Sequence, residues 1–249
     1  MPYFVQHDHR LFYREQGEGR LLVILPGNTA SSNCHEGEIE YFARHYRAVS
    51  FDFWGTGQSE RMEVWPDDWW AKGAQDAAAL VACLGEQHAL VMGTSGGAIV
   101  ALLMAIMFPE RVLAVVADSF IEKYPAKVLK NVVKERLQST SKQTEFWQFA
   151  HGEDWQQVVK ADSTLLLRMA QKGTFDWSHG QLKMIRCPVL LTGSLQDNAL
   201  PKIGLQMSNM ASQIPNCRVL LVNQGDHPLM WSRREDFYHA SEYFLKFIK

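Results

Sequence analysis

At 249 residues, with 47 % hydrophobic and 21 % charged residues, the chain has the make-up of one large globular domain, and two independent domains would be cramped. A formal charge of −2 excludes the basic footprint of a nucleic-acid binder or of a protein held to an anionic membrane, leaving a small neutral or weakly charged molecule as the expected partner. Cys34, Cys83, Cys187 and Cys217 are widely spaced and form no C-x-x-C pair, so neither a zinc site nor a disulfide framework is indicated.

Residues 1–10 lack the charged segment and apolar stretch of a secretory signal, and no later apolar run reaches membrane-spanning length; a cytoplasmic protein with reduced thiols is expected. Residues 3–5 and 11–14 flank the polar His7-Asp8-His9-Arg10 and read as an opening hairpin. His7 and His9 have no third ligand nearby, so a solvated turn is expected there, not a metal site. Residues 21–25 form a buried-strand candidate ending at Pro26-Gly27-Asn28, and residues 47–52 form a second. Asp67-Asp68 then caps a helix that runs through Leu84 and stops at Gly85.

Residues 88–92 are short, apolar and β-competent. They lead into Gly93-Thr94-Ser95-Gly96-Gly97, which fits G-x-S-x-G, and on into a small-residue helix over 98–108 that stops before Pro109. Further apolar runs at 111–117, 188–192 and 218–222 alternate with helical patterns at 202–214 and 235–248. Strands separated by helices imply a mostly parallel sheet with helices on both faces, whose ligands sit at the carboxyl ends of the strands. One segment breaks the alternation. Residues 119–181 contain no convincing strand but carry helical stretches such as 128–137 and 155–169, and they are too long for a connecting loop. A helical cap over the strand ends is expected there, with residues 1–118 and 182–249 forming the core.

Strand, tight turn and helix around Ser95 would project its hydroxyl above a helix N-terminus, where unpaired backbone N–H groups can stabilise developing negative charge. A serine hydroxyl is a poor nucleophile until a base removes its proton and a third group orients that base. His227 is the candidate base, because it lies just beyond the last strand and ahead of the final helix. His7, His9, His35, His45 and His88 precede the serine, His151 and His179 fall in the expected cap, and His239 lies in the last helix. Strand order favours Asp197 as the acid and leaves Asp118, at the end of the 112–117 strand, as the alternative. Asp226 adjoins His227 in sequence and is poorly placed to pair with it. The backbone N–H groups of Asn28 and Gly96 are the candidate oxyanion donors.

These motifs resemble, in order, those of the α/β-hydrolase superfamily. Leu25-Pro26-Gly27-Asn28 resembles its oxyanion loop, usually His-Gly-x, and Asp52-Phe53-Trp54-Gly55-Thr56-Gly57-Gln58-Ser59 resembles its Asp-x-x-Gly-x-Gly-x-Ser turn. Gly93 to Gly97 resembles the nucleophile elbow, Gly193-Ser194-Leu195-Gln196-Asp197 the acid loop, and Gly225-Asp226-His227 the histidine loop. Pro26 departs from the usual His but also occurs in capped members such as the biphenyl-hydrolase-like, valacyclovir-cleaving enzymes, which the chain resembles. The resemblance implies an α/β-hydrolase core with a helical cap. It also implies a serine hydrolase that cleaves a small carboxylic ester through Ser95, His227 and Asp197 without cofactor or metal. Relatives on this fold also cleave amides or carbon–carbon bonds, so an amidase, an aminopeptidase, a carbon–carbon hydrolase and a non-catalytic ligand receptor are the alternatives. An aminopeptidase would need an anionic anchor, for which Glu122, Glu153 and Asp154 are candidates. Trp147, Trp155, Phe175 and Trp177 are candidate pocket aromatics, and nothing in the sequence reports the oligomeric state.

Overall fold

The computed structural model describes residues 2–249. Strands β1 (Tyr3–Gln6) and β2 (His9–Gln16) form the opening hairpin, turned at His7 and Asp8, both at positive φ. The chain continues through β3 (Leu21–Leu25), α1 (Glu36–Phe42), β4 (Arg47–Phe51), α2 (Trp69–Cys83), β5 (Ala89–Thr94), α3 (Gly96–Met107) and β6 (Val112–Asp118). It then leaves the sheet through β7 (Lys123–Tyr124), α4 (Ala126–Leu137), α5 (Ser141–His151), α6 (Trp155–Gln171) and β8 (Phe175–Asp176). The return runs through β9 (Val189–Ser194), α7 (Ile203–Gln213), β10 (Cys217–Val222), α8 (Leu229–Ser232) and α9 (Arg234–Leu245).

The sheet has eight strands in the order β1-β2-β4-β3-β5-β6-β9-β10. The β1–β2 and β2–β4 pairs are antiparallel, and every later pair is parallel. Successive side chains of a strand point to opposite faces, and the runs of aliphatic residues in β3 and β5 bury both. Leu21, Val23 and Leu25 join Val91 and residues of α2 and α3 in one core; Leu22 and Ile24 join Leu90, Met92 and residues of α1 and α9 in the other. Helices therefore cover both faces, as the alternation of patterns predicts.

The segment expected to lack strands contains one minimal antiparallel pair, β7 with β8, and three helices. Helix α5 starts with a capping box: Thr140 Oγ1 accepts from the Gln143 N–H, and Gln143 Oε1 accepts from the Thr140 N–H at 2.9 Å. Three sets of polar contacts are prominent among those that hold this segment to the rest of the chain. Arg61 donates twice to Asp154, at 2.7 Å each, and once to the His151 carbonyl. His151 accepts from the Gly57 N–H at 2.9 Å through Nδ1 and donates through Nε2 to the Thr29 carbonyl at 3.1 Å. Burial pushes its imidazole down to about 4, so it stays neutral. Asp67 accepts from Arg168 of α6 and from Lys172, the residue just past its end. The expected cap at Asp67-Asp68 is corrected accordingly: Asp68 stands at the N-cap position of α2, but its side chain makes no capping bond.

One carboxylate in α2 is buried without a hydrogen-bond partner among the described residues. Asp76 is 7 % exposed near Phe53, Trp69 and Lys72, and burial pushes its carboxyl up from 3.8 to about 7. The folded chain thus holds a proton there between about pH 4 and 7 that the unfolded chain has lost, so this group makes stability fall as pH rises through that window. The cost is complete above about pH 7, with an upper bound of about 4 kcal/mol. Asp76→Asn is expected to raise the melting temperature at pH 8 and leave it nearly unchanged at pH 5. A gap equal at the two pH values would contradict this.

Candidate active site

Strand β5 lies between β3 and β6, so its carboxyl end opens at the middle of the sheet. Ser95 joins it to α3 with φ 53° and ψ −119°, a strained conformation held by its N–H donating to the Asp118 carbonyl at 2.8 Å. The flanking glycines are sterically required. A Cβ on Gly93 would overlap the Gly97 carbonyl, and one on Gly97 would overlap the carbonyls of Leu25 and Pro26.

The loop after β10 brings His227 Nε2 to 3.1 Å from Ser95 Oγ, and the loop after β9 brings Asp197 Oδ2 to 2.8 Å from His227 Nδ1. The Asp197 side chain is fully buried, and its Oδ1 accepts from the N–H groups of Ala199 and Leu200 at 2.9 Å each. A carboxylate that only accepts requires the His227 proton on Nδ1, which leaves the Nε2 lone pair facing the Ser95 hydroxyl. Asp118 has other partners. It accepts from the Thr94 and Thr192 hydroxyls and from the Met230 N–H, tying β5, β6 and β9 to α8, and burial pushes its carboxyl up to about 6. Asp226 is exposed.

Asn28 and Gly96 line the same cavity as Ser95, and neither backbone N–H has an acceptor among the described residues. The Asn28 side chain lies over the start of α3, where a Cβ on Gly96 would overlap its Oδ1. That oxygen accepts from Trp70 Nε1 at 3.0 Å, while Nδ2 donates to Asp162 Oδ1 at 2.7 Å.

The cavity measures about 390 Å³, within the range of about 300–1,000 Å³ usual for small-molecule sites. Its aromatic walls are Trp70, Tyr124, Phe146, Trp147, Phe175 and Trp231, with Arg136 adding a guanidinium. Of the four expected pocket aromatics, Trp147 and Phe175 reach the cavity. Trp155 instead stacks behind Trp147, and Trp177 is buried in the core, donating to the Ile121 carbonyl. Trp231 stands four residues after His227, a spacing that could have marked it; Trp70, Tyr124 and Phe146 carried no such signal. Glu122, Glu153 and Asp154 do not line the cavity; Glu122 bonds to Gln213 and Asp154 to Arg61. Among the described residues no group of three or more His, Cys, Asp or Glu is arranged to hold a metal, and no helix is long and apolar enough to cross a membrane.

A profile of the alpha/beta hydrolase fold matches residues 20–138. A protein of Azorhizobium caulinodans, provisionally named carbamate hydrolase RutD, is 27 % identical over 248 residues that span 91 % of this chain and 91 % of that one. The protein named serine hydrolase BPHL, from Mus musculus, is 21 % identical over 251 residues, covering 95 % of this chain and 83 % of its own. Among solved structures, a hydrolase from Pseudomonas aeruginosa PA01 superposes with a TM-score of 0.79 at 17 % identity, across 98 % of this chain and 97 % of that one. The profile match over residues 20–138, the shared fold and the strand–serine–helix turn at the centre of the sheet agree: the chain has the α/β-hydrolase fold.

Proposed function

We propose that the chain is a serine hydrolase that cleaves small carboxylic esters through an acyl-enzyme. The observation that carries this reading is the unbroken hydrogen-bonded relay from Asp197 through His227 to Ser95. Ser95 Oγ attacks the substrate carbonyl as its proton passes to His227 Nε2, and the buried Asp197 carboxylate stabilises the imidazolium that forms. The carbonyl oxygen, now an oxyanion, accepts from the free N–H groups of Asn28 and Gly96. His227 returns the proton to the departing alcohol oxygen as the carbon–oxygen bond breaks. Water then repeats the sequence on the acyl-enzyme, giving the acid and regenerating Ser95. Residues 119–181 serve as a helical cap, since Phe146, Trp147 and Arg136 from that segment line the cavity above the serine.

Carbamate cleavage is the second reading, favoured by the carbamate-hydrolase name of the 27 % identical relative. It uses the same steps with a nitrogen-bearing acyl group. A panel of chromogenic esters graded by acyl length, run with carbamate and amide analogues in the presence of a chelator, separates the readings. Ester turnover that the chelator leaves unchanged is expected, with Phe146→Ala altering the acyl ranking by about 1–3 kcal/mol. Turnover confined to carbamates would select the second reading, and turnover of none of them would point to a ligand receptor.

A further inference from the structure

We propose that Asp162 is a positioning residue for the reaction: from the insertion, it holds the Asn28 side chain so that the Asn28 backbone N–H stays aimed at the oxyanion. This rests on the mechanism proposed above. Asp162 lies in α6 and is fully buried, and its two oxygens have separate duties. Oδ2 accepts from Arg136 of α4, whose side chain is 12 % exposed and also donates to Ser163 Oγ. Oδ1 accepts from Asn28 Nδ2 at 2.7 Å.

The opposite end of the Asn28 amide is held by the core, through Trp70 Nε1 donating to Oδ1. With a pure donor on one side and a pure acceptor on the other, the amide has one satisfactory orientation. Asn28 also sits in a tight turn closed by the Ala30 N–H donating to the Gly27 carbonyl at 3.0 Å, so fixing its side chain limits rotation of its backbone. Its Oδ1 fills the space that Gly96 leaves by lacking a Cβ, which brings the two candidate oxyanion donors into register. Asparagine at 162 could not replace the aspartate, because its amide nitrogen would face one of two donors, Arg136 or Asn28.

If the Arg136–Asp162 pair only pinned α4 to α6, its loss would lower stability and leave the chemistry alone. The two cases are separated by kcat, KM and affinity for a boronic acid, which forms a tetrahedral adduct on the serine. These are measured with one ester on the wild type, D162N, N28A and the double variant. Both single variants are expected to lose up to about 100-fold in kcat and in boronate affinity with KM little changed, as for a misplaced catalytic group. The double variant should lose no more than N28A, because Asp162 acts through Asn28. Additive losses, or a lowered melting temperature with wild-type kcat and boronate affinity in D162N, would overturn the proposal. Should D162N fail to fold, Trp70→Phe releases the other end of the amide; wild-type values in both W70F and N28A would then overturn it, and matched losses would uphold it. A Ser95→Ala control keeps the levels apart. If it retains the wild-type rate, the mechanism falls and this proposal with it, whereas an inactive S95A beside undiminished N28A and D162N sinks this proposal alone.

Discussion

Ser95→Ala is expected to lower kcat by on the order of 10³-fold or more and to abolish labelling by a fluorophosphonate probe, while the protein stays folded. Removing the hydroxyl takes away the only group hydrogen-bonded to His227 Nε2 among the described residues, so the relay ends on an imidazole with nothing to deprotonate. The substitution leaves the Ser95 N–H bond to the Asp118 carbonyl in place, so the turn has no new reason to rearrange. Whatever activity remains would come from binding and from the two free N–H groups acting on attack by water. Full activity in S95A, or probe labelling at another residue, would end the proposed mechanism.

Asp197→Asn is expected to lower kcat by about 10³–10⁴-fold with a small change in melting temperature. An amide can still accept the two N–H bonds from Ala199 and Leu200, but it can neither balance an imidazolium nor enforce the proton on His227 Nδ1. Asp118→Asn provides the contrast. Its carboxylate collects two hydroxyls and one N–H, and an amide satisfies fewer of these donors, so the damage should fall on stability, with kcat kept within about tenfold. Kinetics and thermal melts on both variants decide the matter: a crippled D118N beside a nearly normal D197N would reverse the assignment of the acid.

The elements that could be read from the sequence were those whose local chemistry and tertiary role agree. The apolar run before Ser95, the glycines around it and the small residues after it all demand the same strand, turn and helix, and His227 follows from its place after the last strand. Helix α5 was harder because Phe149 is exposed among its polar residues, blurring the apolar stripe, and its clearest local sign is the Thr140–Gln143 capping box. The aromatics of residues 119–181 were partly misjudged for a related reason. Trp147 and Trp177 look alike in sequence, yet Trp177 is buried beside Phe120 with its Nε1 donating to the Ile121 carbonyl, while Trp147 reaches the cavity. The partners of Asn28 were not legible at all, since Trp70 and Asp162 meet it, and Arg136 meets Asp162, across long sequence separations.

The fastenings around the insertion bear on how molecules enter and leave. A lid that swings must break its bonds to the body at each cycle, yet here one bond set is a neutral imidazole wedged between two core loops and the others are multiple ion pairs at both ends of α6. Each exposed pair is weak alone and screened by salt, but the imidazole keeps its grip until the pH nears 4. Across ordinary conditions these bonds therefore hold the segment in place, and under the proposed mechanism a substrate would have to pass walls that do not swing aside. If the chain hydrolyses esters as proposed, a bulky acid would be slow to depart for the same reason that its ester would be slow to arrive.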